Sequence, residues 1–201
     1  MMAVTRPGGR SARVRAEVMA ATLRALAEDG YGGLTVDRIA DLAGVNKTTI
    51  YRRWTDLDGL LTELLADLAA RAVPIPDTGD LDLDLHRLAG LIGGVLTDPS
   101  IAALVTGLVA AATRSPEAAA TLRGFILGRA GAGSVVFTRA AARGDIPADT
   151  DPIHAIEALV GPYYLRLLLT GEPLDAALAA RTATAVATAA RAGAFRPAPS
   201  H

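Results

Sequence analysis

The sequence predicts an all-α protein, and three observations predict it. Leucine, valine and isoleucine recur at spacings of three and four through alanine-rich segments, and no stretch keeps a period of two for long. Helix starts carry a polar side chain followed by proline at the first helical position, at Asp98-Pro99, Ser115-Pro116, Asp151-Pro152 and Glu172-Pro173. Helix stops carry Gly30, Gly144 and Gly171, which take the left-handed conformation at no steric cost. With 51% hydrophobic residues in 201, the chain can bury one sizeable helical core or a small head on a larger body.

In order, these marks place helices over about 10–29, 36–43, 47–53, 57–72, 81–97, 99–113, 116–143, 152–170 and 173–192. The first ends at Gly30. Thr35 is a good N-cap for the second, whose Val36, Ile39, Ala40 and Ala43 form an apolar face. Gly44 permits a sharp turn, and Val45 and Ile50 then anchor the third helix on the second, with Ala40 small at their crossing. The fourth runs to the turn-rich linker Val73-Pro74-Ile75-Pro76-Asp77-Thr78-Gly79-Asp80. The fifth opens on Asp80, Asp82, Asp84 and His86, which alternate like a calcium loop. That loop would need glycine at 85 and glutamate at 91, where leucines stand, so a solvated helix entry is expected and no metal site. The seventh holds Gly124, Gly128, Gly131 and Gly133, each costing a helix of order 1 kcal/mol relative to alanine. Either close neighbours or a cavity must answer for them. Gly161-Pro162 is expected to kink the eighth helix, and His154 to form a surface pair with Glu157.

Several function classes are disfavoured by composition. The absence of cysteine removes disulfides, thiolate metal sites and cysteine nucleophiles, and fits a reducing cytoplasm. No serine, histidine and acid suggest a catalytic triad, so the chain is not expected to be an enzyme and no cofactor is expected. The basic N-terminus lacks the apolar core of a signal peptide, and the run Ile101 to Ala112 is too short to span a bilayer, so a soluble, cytoplasmic protein without a membrane partner is expected. Net charge is only −1, but residues 1–60 carry nine Arg or Lys against seven acids, while the remainder carries eleven against fourteen.

The segment Thr35 to Trp54, TVDRIADLAGVNKTTIYRRW, reads as a helix-turn-helix, with Lys47, Thr48, Thr49, Tyr51, Arg52 and Arg53 outward on a short rod that fits a major groove. Trp54 reads as a core aromatic and Tyr51 as an outward one. The turn Gly44-Val45-Asn46-Lys47-Thr48-Thr49-Ile50-Tyr51-Arg52-Arg53-Trp54 closely resembles that of the TetR family of repressors, and the match includes Leu23, Leu26, Ala27, Gly30 and Tyr31 before it. Gly-Pro-Tyr-Tyr at 161–164 and Leu-Thr-Gly-Glu-Pro-Leu at 169–174 look like the C-terminal half of actinobacterial members.

The resemblance implies that Lys47, Thr48 and Thr49 meet base edges or adjacent phosphates, that Tyr51 and Arg53 meet phosphates, and that Thr35 offers a hydroxyl at a helix N-terminus to another. Asn46 and Arg52 are further contacts. Where many members place a lysine after the recognition helix this chain has Thr55-Asp56-Leu57-Asp58, and Arg6, Arg10, Arg13 and Arg15 are expected to compensate from a flexible arm. The implied organisation is a DNA-binding domain over 1–56 and a ligand-binding and dimerisation domain over 57–201. Apolar stripes through Ile153, Ile156, Val160, Leu167, Leu168, Leu174, Leu178, Ala185, Val186 and Ala189 are expected to face a second copy in a four-helix bundle. Phe125, Arg129, Tyr163, Tyr164 and Arg166 are expected to line an apolar pocket for a small-molecule effector that releases the homodimer from palindromic operator DNA. The alternatives are a constitutive or architectural DNA-binding protein without an effector, and a helical enzyme whose head is coincidental.

Overall fold

Nine α-helices form among the described residues of the computed structural model, which are 9–70 and 74–197. They are α1 (Gly9–Asp29), α2 (Val36–Ala43), α3 (Lys47–Arg53), α4 (Leu57–Ala70), α5 (Leu81–Leu96), α6 (Pro99–Ala112), α7 (Pro116–Arg143), α8 (Pro152–Leu165) and α9 (Ala176–Arg191). The capping side chains at Ser115 and Asp151 act as the sequence predicts, and Asp80, not among the expected caps, acts as a third. Ser115 Oγ accepts from Ala118 N at 3.2 Å, Asp151 accepts from Ile153 N and His154 N, and Asp80 accepts from Leu83 N at 3.0 Å. Gly30, Gly144 and Gly171 take φ of 65°, 83° and 67°, in the left-handed region.

The ninth helix departs from expectation. It starts at Ala176 rather than at Pro173, because the Asp175 carboxylate reaches Leu178 N at 2.8 Å whereas glutamate at 172 is turned to Arg166. Glutamate's extra methylene makes it a poor cap, and the shorter acid three residues on takes the role. The eighth helix keeps α geometry through Pro162. It changes only afterwards, into a π-helical turn over Arg166–Thr170 that Gly171 N closes on Arg166 O at 2.8 Å.

Contacts divide the described residues into two units: one holds those up to Leu68 and Pro99–Thr121, the other Ala69–Asp98 and those from Leu122 onward. In the first, α1 packs on α2 and on α6, so α6, well beyond residue 56, belongs with the N-terminal helices. Arg24 donates to Leu42 O at 2.8 Å, and Arg38 bonds Asp29 at 2.7 Å and Glu28 at 2.6 Å, fixing α1 to α2 at both ends.

In the second unit α5 packs on α9 and α8. Tyr163 is its largest fully buried side chain, with its ring 3.2 Å from where a Cβ on Gly93 would stand and its hydroxyl donating to Ala89 O at 2.9 Å. Tyr163→Phe is expected to lose about 1 kcal/mol of stability, the net worth of one buried hydrogen bond, in urea unfolding at fixed protein concentration. The acids at the start of α5 have structural roles. Asp82 pairs with Arg191 of α9, and buried Asp84 accepts from Thr78 N at 2.9 Å and Thr78 Oγ1 at 2.8 Å. His154 pairs with Asp151 at 3.4 Å rather than with Glu157, because the capping carboxylate already lies over that turn.

Of the stripe expected to face a second copy, Ile156, Leu178 and Val186 are buried within the chain itself. Val160, Leu167, Leu168 and Leu174 are half-buried and Ala185 is exposed. Nearby Leu165 and Leu169 are 51% and 77% exposed, which leaves the end of α8 and the π turn as the uncovered apolar part. No single described helix is long and apolar enough to cross a membrane.

Candidate nucleic-acid interface and internal cavity

The geometry of the turn follows from its backbone. Gly44 at φ 66° closes α2, with Gly44 N on Asp41 O at 3.3 Å and Val45 N on Ala40 O at 3.1 Å. Val36, Ile39, Ala40 and Ile50 are buried between the helices, while Ala43 and Val45 are only half-buried. Asn46 caps α3: its Oδ1 accepts from Thr48 N at 2.9 Å and from Thr48 Oγ1 at 2.8 Å. With its proton so engaged, the Thr48 hydroxyl is left able only to accept further hydrogen bonds. Thr35 caps α2 by accepting from Arg38 N at 3.1 Å, which leaves its own O–H free to donate.

The outward face is then Lys47, Thr48, Thr49, Tyr51, Arg52 and Arg53. All are exposed except Thr49, which is half-buried, and Tyr51 is 50% exposed in keeping with its outward reading. Lys47 Nζ lies 3.1 Å from Asp37 Oδ1, and that hydrogen bond and charge hold its ammonium pKa above the ordinary value. Both side chains are in water, so the pair is weak and screened by salt, and a phosphate can take the place of Asp37. Within Thr55-Asp56-Leu57-Asp58, where many members place a lysine, Asp56 Oδ1 accepts from Gly59 N at 2.8 Å and caps α4.

A contact not foreseen from the sequence fixes the far end of α3. Glu63 on α4 accepts from Trp54 Nε1 at 2.5 Å and Arg15 Nε at 2.5 Å, with Arg53 Nη2 at 3.5 Å. Trp54 is 4% exposed, a core aromatic as expected, and the Arg53 guanidinium stands 5.2 Å from its ring centroid. One carboxylate thus ties α1, α3 and α4 together. Its donors lie nine and forty-eight residues away, beyond any sequence spacing rule. Arg15 also bonds Asp67, and Arg13 pairs with Glu17 at 2.8 Å, so both lie on α1 in ion pairs rather than on a flexible arm. Arg6 and the side chain of Arg10 lie outside the described residues.

Burial works to raise the Glu63 carboxyl, but hydrogen bonds from Arg15 and Trp54 and the charges of Arg15 and Arg53 outweigh it, holding the pKa below the usual carboxylate value. Its contribution to stability is therefore present above the unfolded pKa of about 4.3 and is lost as pH falls through the lower folded value. Glu63→Gln is expected to lower the unfolding free energy by about 1 kcal/mol at pH 7, and the gap to wild type should close below pH of about 4 in acid titrations of the denaturation midpoint.

In the second unit, α5, α7 and α8 line a partly open cavity of about 100 Å³. Its walls include Leu88, Ile92, Leu96, Ile126 and Ile156, with Phe125, Arg129 and Tyr164 at the same cavity. Three of the five expected pocket residues are thus brought together. The other two are not: Tyr163 is spent in the core on Ala89, and Arg166 turns away to Glu172 at 3.0 Å and to Pro173 O at 2.6 Å. Gly133 borders the cavity because a Cβ there would stand 3.0 Å from Ile156 Cδ1, whereas Gly124, Gly128 and Gly131 face open space. The α5 wall was not read from the sequence, since nothing in a periodic apolar stripe separates cavity lining from ordinary core.

Two family models cover most of the chain. Residues 18–64 match the one described as bacterial regulatory proteins, tetR family, and residues 75–186 match the tetracyclin repressor-like C-terminal domain. The chain belongs to the TetR family. It is a DNA-binding transcriptional regulator, and that family is one of regulators rather than enzymes. The HTH-type transcriptional regulator AqdR of Rhodococcus erythropolis is 31% identical over 169 residues, spanning 84% of this TetR-family chain and 81% of the relative. The solved TetR family transcription regulator SCO0332 is 31% identical with a TM-score of 0.66, covering 87% of this chain and 97% of that one. A TetR transcription regulator from Haloarcula marismortui, 23% identical, shares the fold at a TM-score of 0.75, covering 89% of this chain and 98% of that one.

Proposed function

We propose that this TetR-family regulator is a homodimeric repressor that grips a palindromic operator with α3 of each copy and leaves it when a small molecule occupies the cavity among α5, α7 and α8. The observation that carries the reading is the short rod itself: α3, capped by Asn46 and fastened by Ile50 and Trp54, with Lys47, Tyr51 and Arg52 in water. In this reading Lys47, Thr48 and Thr49 meet base edges or adjacent phosphates, Tyr51 and Arg53 meet phosphates, and Thr35 donates to another. Asn46 serves chiefly as the cap and Arg52 as an electrostatic contact. Residues 1–56 form the DNA-binding domain and 57–201 the ligand-binding and dimerisation domain.

Two features support the finer parts. Leu165 lines a groove with Ala158, Pro162 and Ala185, and Leu169 in the following turn is also a large apolar side chain left in solvent, which suits a self-complementary contact about a two-fold axis. The cavity is small by the standard of ligand sites, which are of order 300–1,000 Å³, so most ligands would have to displace its walls. Displacement of that kind gives a ligand different affinities for two conformations, which is what release requires. The fourth helix, which contributes residues to both units, is the lever in this reading.

Light scattering of the protein on its selected duplex tests the assembly, with two copies per site expected and one copy against it. Transcription in vitro from a promoter carrying that duplex tests the sign: added protein should lower transcript yield, and a rise would make the chain an activator.

A further inference from the structure

The cavity contains an unanswered charge. Arg129 is half-buried at its wall, and it is the one described arginine that is withdrawn from full exposure and makes neither a hydrogen bond nor an ion pair. A guanidinium partly removed from water without an anion is costly, and it recognises planar carboxylates through two parallel N–H donors. Tyr164 lies at the same cavity, also without a hydrogen-bond partner among the described residues. Burial raises its phenol pKa, the charge of Arg129 opposing, so it stays a neutral O–H donor at pH 7.

The remaining surroundings limit the ligand further. Leu88, Ile92, Leu96, Ile126 and Ile156 offer no polar group, which suits a hydrocarbon tail. Glu157, exposed at the rim, makes no ion pair with Arg129 and would repel a second negative charge. A cavity of about 150 Å³ is enough for benzene, so one of about 100 Å³ takes only a short tail unless its walls move.

We propose that this cavity takes a small organic monocarboxylate, its carboxylate on Arg129 and Tyr164 and its short apolar tail among Leu88, Ile92 and Ile156. As an effector site this rests on the release reading above; as a binding site it stands without it.

Calorimetric titration of the full chain with butanoate, hexanoate and benzoate, each beside the matching alcohol and amine, tests the chemistry. The acids should bind about tenfold or more tighter than their alcohols. Arg129→Gln should weaken the acids about tenfold or more and leave the alcohols within about twofold, and Tyr164→Phe should weaken the acids by less. The proposal is overturned if no acid binds, if an alcohol or amine matches its acid, or if Arg129→Gln leaves acid affinity unchanged. Duplex affinity in the same samples separates the two readings. Acids that bind in an Arg129-dependent way yet leave duplex affinity unchanged would keep the site and reject release, and acid-driven release abolished by Arg129→Gln would support both.

Discussion

Gly107→Ala is expected to destabilise the protein by about 3 kcal/mol or more, the upper range for overpacking a core. A Cβ at position 107 would stand 1.9 Å from Tyr31 Cδ2, 2.2 Å from its Cγ and 2.6 Å from its Cβ. A ring can rotate away, but the Tyr31 Cβ is fixed to the backbone just beyond α1, so α6 would have to withdraw from α1 along its length. The effect should appear in urea unfolding as a lowered midpoint at fixed protein concentration, since self-association would otherwise shift the midpoint. In a Tyr31→Gly background, which removes all three obstructing atoms, the same alanine should cost little. An equal cost in both backgrounds would show that another contact is responsible.

The second large effect concerns the outward face of α3. Lys47→Ala combined with Tyr51→Ala is expected to weaken binding to a cognate duplex about 100-fold, one contact removing a cation and the other a phosphate hydroxyl donor. Both side chains are in solvent, Lys47 held only by Asp37, so the unfolding midpoint should hardly move. Anisotropy titrations at two salt concentrations would separate the contributions, because losing the lysine contact should also flatten the salt dependence by about one counterion. A fall in affinity accompanied by an equal fall in stability would place these residues in the fold instead.

The architecture was legible where local chemistry decides it. Capping acids, Pro99, Pro116 and Pro152, and the left-handed glycines set most helix limits within a residue or two, because each acts on backbone groups at most four positions away. The exception at α9 has the same origin: two acids, Glu172 and Asp175, competed for one start, and side-chain length chose between them. Within the candidate site, the turn at Gly44 and the outward side chains of α3 could be read from spacing alone. Glu63 could not, since its donors come from α1 and α3, and no helical periodicity marks a polar residue that will be a shared acceptor.

The second unit shows the same limit. Phe125, Arg129 and Tyr164 were identifiable as rare polar or aromatic groups among alanines, but nothing local distinguishes Tyr164 in the cavity from Tyr163 beside it in the core. Adjacent residues on a helix differ in direction by about 100°, and which direction is inward depends on where α5 lies. The four glycines of α7 divide likewise. Gly133 is explained by Ile156, and the open surroundings of Gly124, Gly128 and Gly131 have no structural explanation within the chain.

If α3 reads base sequence in duplex DNA, duplexes selected from a random-sequence pool by the wild-type protein should share a two-fold symmetric consensus. Affinity for that sequence should fall steeply with salt, at a slope of about 0.9 per phosphate contact on logarithmic axes. A pool that emerges with no sequence enriched over the starting mixture would contradict sequence reading by α3.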